Sequence, residues 1–79
     1  MDGPIFRTSF GFASCSVYAN QNDGRWFLSY NLQTRYKKDD EWKYTSNLNH
    51  RDAPAALMTL QQAILKGAHW LESKRDENQ

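Results

Sequence analysis

A single cysteine, Cys15, excludes an internal disulfide, and two histidines with no cysteine cluster give no spacing for a structural zinc. Both absences matter because 79 residues lie near the size at which a lone core is marginal. Association remains as a source of stability, so a homodimer is expected. There is no apolar run of membrane-spanning length and no glycine-rich phosphate loop. The opening Met1-Asp2-Gly3-Pro4 is too short and polar to act as a targeting segment, and the lone thiol fits a reducing compartment. A cytoplasmic location follows as the expectation. Charge of one sign is also lacking: the net value is +1, which makes no global case for a polyanion partner.

The distribution of charge is more informative than its sum. Gly3 to Arg51 holds seven Lys/Arg against four Asp/Glu, whereas Asp52 onward holds three against four. Ten of the eleven aromatic residues also precede Arg51, leaving only Trp70 beyond it. Basic and aromatic residues interleaved on a sheet suit single-stranded nucleic acid, with cations for the phosphates and rings for the bases. An aromatic core beneath a solvated polar face accounts for the same composition.

Gly24 to Leu48 carries the clearest pattern. Trp26, Leu28, Tyr30, Leu32, Thr34 and Tyr36 alternate with Arg25, Ser29, Asn31, Gln33, Arg35 and Lys37, and Phe27 is the one apolar exception on the polar side. A period of two describes a strand with one buried face and one wet face. Trp42, Tyr44, Ser46 and Leu48 repeat the even parity after a polar tip, Lys38-Asp39-Asp40. Matching apolar to apolar predicts Lys37 opposite Glu41, Tyr36 opposite Trp42 and Arg35 opposite Lys43. That register sets two like charges side by side on the wet face, a cost that a bridging anion would remove.

Upstream, residues 4–12 and 13–20 read as strands with a bend or bulge near Gly11, and together they could form one bent strand. Asn20-Gln21-Asn22-Asp23-Gly24 is a tight-turn signal. Downstream, Asp52 and Pro54 mark a helix start. Ala53, Leu57, Leu60, Ile64, Ala68 and Leu71 recur at three- and four-residue spacing, predicting a helix over 53–73 that packs through this stripe, with a frayed charged tail over 74–79. Gly67 interrupts the helix at a cost of about 1 kcal/mol relative to alanine, which suggests a close contact or a bend. The expected fold is a single α+β domain. It comprises a four-stranded antiparallel sheet over about 4–48, or three-stranded with a bent first strand, followed by one C-terminal helix on one face.

Catalytic inventory is thin, so no enzyme activity, no cofactor and no metal are expected. His50 lies in a polar connection without a nucleophile, and His69 lies on the flank of the helix. Cys15 alternates with Val17 and Ala19, the pattern of a buried small residue. Asp39, Asp40 and Glu41 match no calcium loop. For nucleic acid the candidates are Arg7, Arg25, Phe27, Arg35, Lys37, Lys38 and Lys43, with Tyr18 as a further stacking partner. Arg35 and Lys43 would hold phosphates and Phe27 would stack on a base.

The order strand, strand, strand, strand, helix, with Gly24-Arg-Trp-Phe-Leu-Ser-Tyr-Asn-Leu32 after a turn and Glu41-Trp-Lys-Tyr-Thr-Ser-Asn-Leu48 before the helix, resembles the positive-cofactor-four and Whirly group of single-stranded-DNA-binding proteins. The resemblance covers roughly residues 5 to 72. It implies a dimer packed through its helices and single-strand binding by Arg25, Phe27, Arg35 and Lys43. Tyr36-Lys37 followed by acids and Glu41-Trp42-Lys43 is also similar to a group of small bacterial and phage-borne proteins. The leading expectation is therefore a homodimeric, non-enzymatic binder of single-stranded nucleic acid, DNA rather than RNA. The competing one is a protein-interaction or regulatory module of phage or mobile-element type.

Overall fold

Two-residue turns set the architecture. The computed structural model describes residues 3–77. Strands β1 (Phe6–Phe10), β2 (Ala13–Asn22), β3 (Arg25–Lys38) and β4 (Glu41–Thr45) form one antiparallel sheet in sequence order, followed by helix α1 (Ala53–Glu77). Gly11 adopts φ 61° at the first position of the β1–β2 turn, so the segment expected to bend there is a hairpin, and the sheet has four strands. Asp23 and Gly24 take φ 54° and 78° between β2 and β3, and Asp39 and Asp40 take 55° and 64° between β3 and β4. Positive φ at both central residues makes these tight turns of the kind that matches strand twist.

The last turn overturns the register expected from side-chain parity. Lys38 pairs with Glu41, Lys37 with Trp42, Tyr36 with Lys43 and Arg35 with Tyr44, one residue away from the apolar match. Only Asp39 and Asp40 form the loop, so Lys38 belongs to the strand and the parity of β4 is reversed relative to β3. The reversal is tolerated because this end of the sheet has no covered face to protect. Tyr36, Trp42 and Tyr44 are all exposed, and burial is what normally enforces register.

On the covered face, Ala13, Cys15 and Val17 of β2 meet Ala56 and Ala63 of α1, with Phe6, Leu28, Leu32 and Leu60 packed around them. Thr8 is buried among them and donates its hydroxyl to the Thr59 carbonyl at 2.9 Å, while Thr59 donates to the Ala55 carbonyl at 2.8 Å. Both buried hydroxyls are thereby satisfied. At the helix entry, the Asp52 amide donates to Asn49 Oδ1 at 3.1 Å and the Asp52 carbonyl accepts from the Ala56 amide at 3.0 Å.

The packing stripe is also not the predicted one. Ala56, Thr59, Ala63 and Gly67 are buried, and Leu57, Ile64 and Leu71 are exposed; Leu60 alone of the expected leucines reaches the core. Small residues win because α1 lies close to the sheet. A Cβ on Gly67 would overlap the Tyr30 hydroxyl and come within 2.9 Å of Leu28 Cδ1. The helix also runs past Ser73 to Glu77, and Lys74 Nζ sits 5.9 Å from the Trp26 ring and 5.3 Å from the Trp70 ring. Trp26 and Trp70 meet edge to face at 5.1 Å. The C-terminal half of α1 therefore lies over β3, while Thr59 anchors the N-terminal part over β1.

Gly67→Ala tests this close approach, because helix propensity favours alanine by about 1 kcal/mol while overpacking costs about 1–3 kcal/mol. In urea unfolding the variant is expected to lose about 1 kcal/mol net, and the loss should shrink in a Tyr30→Phe background that lacks the overlapping hydroxyl but keeps the Leu28 contact. A stabilised Gly67→Ala in the native background would contradict the packing described.

Candidate nucleic-acid interface

The face of the sheet away from α1 is uncovered. Pairing places Arg7 beside Ser16 and Asn31, Ser9 beside Ser14 and Gln33, Tyr18 beside Ser29, and Arg35 beside Tyr44 on this side. The only acidic residue within a strand, Glu41, pairs with Lys38 on the other face. The open face therefore carries cations, hydroxyls, amides and rings with no strand carboxylate among them.

Arg35 is the centre of the arrangement. Its guanidinium carbon lies 5.0 Å from the Trp42 ring centroid and 5.5 Å from that of Phe12. The two rings are 5.8 Å apart at 41°, so the three groups form a triangle, and Lys37 Nζ lies 6.0 Å from the Trp42 ring. Backbone geometry makes the cluster: the Arg35 amide donates to the Phe12 carbonyl at 3.0 Å, which fixes the β1–β2 turn against β3. A guanidinium set against two adjoining rings has its orientation restrained while its N–H donors stay available. Next to it is a groove of about 340 Å³ whose polar lining includes Arg7, Ser9, Ser14, Ser16 and Gln33, with Tyr44 on its rim. Arg7 Nε donates to Ser16 Oγ at 2.9 Å, so this second guanidinium is also oriented. A second groove of about 320 Å³ shares Phe12 and Arg35 with the first and is also lined by Lys37, Trp42, Arg51 and the acidic Asp52.

The structure separates the residues singled out in the sequence. Arg7, Arg35 and Lys37 cluster at one end of the open face. Arg25 and Phe27 share that face at its other end, and ten residues at about 3.3 Å each put Arg25 roughly 33 Å along β3 from Arg35. Phe27 is 52% exposed, so its ring faces water in the single chain. Tyr18 is half-buried on the same face. Lys38 and Lys43 lie on the opposite face, where Lys43 Nζ is 3.9 Å from Glu41. The expected Arg35–Lys43 pair is therefore not formed: Tyr44 is the cross-strand neighbour of Arg35. Phe12, Trp42 and Tyr44, which parity assigned to the core or a bend, join the open face instead, with Trp42 50% and Tyr44 62% exposed. The signal that locates them is the Asp39-Asp40 dipeptide, since Asp tolerates the left-handed conformation that a two-residue turn requires.

Cys15 stands apart from this site. It is fully buried against Val17 and Ala63, and burial raises its thiol pKa, with a backbone hydrogen bond involving Asn31 acting in the opposite direction. A thiol raised in the folded state adds stability below its unfolded pKa and loses it as pH rises through the folded value. Unfolding free energy is thus expected to decline above the ordinary thiol range, and Cys15→Ala should flatten that decline. A thiol reagent should react only on unfolding, and rapid stoichiometric reaction of the native protein would contradict the burial. No family model matches this chain, and neither a curated protein nor a solved structure matches it.

Proposed function

We propose that the open face of the sheet binds single-stranded nucleic acid, DNA in the first instance, without strong sequence preference and without catalysis, in a homodimer. The observation that carries this reading is Arg35 set against the adjoining rings of Phe12 and Trp42, with Lys37 also beside the indole and Arg7 lining the same polar groove. Guanidinium and ammonium groups serve the phosphates, and the neighbouring Phe12 and Trp42 rings offer faces to bases. Serine hydroxyls and the Gln33 amide supply neutral hydrogen bonds that do not depend on one base sequence. Arg25 and Phe27 provide a second contact point farther along the same face. Lys38 and Lys43 have no part in this reading.

Fluorescence anisotropy with a labelled oligothymidylate tests it. Three cations on phosphates, Arg7, Arg35 and Lys37, predict a log–log salt slope of about −2, at about −0.7 per contact for single strands. Trp42→Ala should weaken binding by about 1–3 kcal/mol, the usual contribution of one stacked base. Arg35→Glu should abolish binding at moderate salt, whereas Lys43→Glu on the other face should leave it within a factor of two or so. Absence of binding at low salt, or equal sensitivity to Lys43→Glu and Arg35→Glu, would contradict the assignment.

A further inference from the structure

Most of the outer edge of β3 has no neighbour. β4 reaches only to Thr45 opposite Thr34, so Arg25 to Gln33 is paired with β2 on one side and with no strand on the other. The Arg35 amide points toward β2, and antiparallel alternation then directs the N–H and C=O groups of Trp26, Leu28, Tyr30 and Leu32 outward. Among the described residues, no loop backbone bonds to these groups. After Arg25 the edge has no charge, no proline and no bulge, which are the usual devices that keep an edge strand solitary.

Helix α1 supplies an independent observation on the same side. Lys66 Nζ lies 5.9 Å from the Phe6 ring of β1, so that flank of the helix faces β1. Leu57, Ile64 and Leu71, spaced by seven residues, fall on the opposite flank, toward the β3 edge. Leu57 is 66% exposed and Ile64 49%. An open strand edge and an apolar helix flank thus face the same direction.

We propose that the edge of β3 pairs antiparallel with β3 of a second copy of this chain, about a two-fold axis at Ser29. The proposal locates the interface of the homodimer and rests on that reading for the assembly itself. Centring on Ser29 is the register that uses all four outward-facing residues, setting Trp26 against Leu32 and Leu28 against Tyr30 in both directions. About eight interchain backbone hydrogen bonds result from these alternating pairs. A second copy fits the edge because faces match and charges do not meet: Arg25 comes opposite Gln33. The two-fold axis keeps both helices on one face, antiparallel, with their leucine and isoleucine flanks toward each other across the seam. It also merges the two open faces into one continuous surface, with an Arg35 cluster near each end.

Ser29 meets its own symmetry mate at a site without backbone bonds, where Cα atoms are about 4.5 Å apart, within the disulfide range. In a Cys15→Ala background, Ser29→Cys is expected to give a covalent dimer on mild oxidation, whereas Gln33→Cys, whose neighbour is Arg25, stays a single chain on a denaturing gel. Leu57→Glu combined with Ile64→Glu should lower the light-scattering mass from two chains to one with the circular dichroism unchanged, because both side chains are already exposed. A one-chain mass for the unmodified protein, or a two-chain mass without the Ser29→Cys cross-link, overturns the proposal. Oligothymidylate anisotropy keeps the readings apart. Salt-dependent binding by a one-chain species overturns the homodimer and its β3 interface but leaves nucleic-acid binding standing, and a cross-linked dimer that does not bind overturns the nucleic-acid reading alone.

Discussion

The turn at Asp39 and Asp40 is the constraint on which the site depends. With φ of 55° and 64°, the pair closes the β3–β4 hairpin in two residues and leaves Lys38 and Glu41 to pair. A three-residue tip would have put Lys43 beside Arg35 and buried the parity of Trp42 with Tyr36. The two-residue turn instead puts Tyr44 opposite Arg35 and Trp42 opposite Lys37. One residue of register thereby converts two aromatics from expected core into half of the candidate surface. Phe12 completes the cluster because the preceding hairpin turn bonds directly to Arg35.

A second constraint is the short distance between helix and sheet. Ala56, Thr59, Ala63 and Gly67 let α1 approach β1, β2 and β3 closely, with Tyr30 and Leu28 filling the space at Gly67. The consequence is a thin core built from small residues, with the larger aliphatic side chains of α1 left outside. A chain of this size that spends its leucines on the surface has little buried apolar area to offset conformational entropy. Leu57, Ile64 and Leu71 on a flank beside an unpaired strand edge are consistent with a core completed by association.

How much of this was legible in the sequence depends on which faces are covered. Alternation in β3 identified the helix-facing residues Trp26, Leu28 and Leu32 and the open-face residues Arg25, Phe27 and Arg35, because that strand has one face against α1 for most of its length. Strand order, the Asp23-Gly24 turn and the helix start were readable for the same local reasons. The β4 register was not, since neither face is covered there and turn geometry rather than hydrophobic matching decides it. The helix stripe was misread for a different reason. Leucines at three- and four-residue spacing mark an apolar face, but whether that face meets the chain's own sheet or something else is decided by how close the backbones come. Gly67 was the legible hint, since a helix interior tolerates glycine at a cost of about 1 kcal/mol only where a close contact requires it.

The central claim is that Arg35 and the Trp42–Tyr44 limb share one face, and the register can be observed directly in solution. In the pairing described, Arg35–Tyr44 and Lys37–Trp42 are the pairs without mutual backbone bonds, in which cross-strand Cα atoms approach to about 4.5 Å. Nuclear Overhauser spectra should show strong Hα–Hα cross-peaks between Arg35 and Tyr44 and between Lys37 and Trp42. A strong Hα–Hα cross-peak between Arg35 and Lys43 would instead place Trp42 and Tyr44 on the other face and contradict the site.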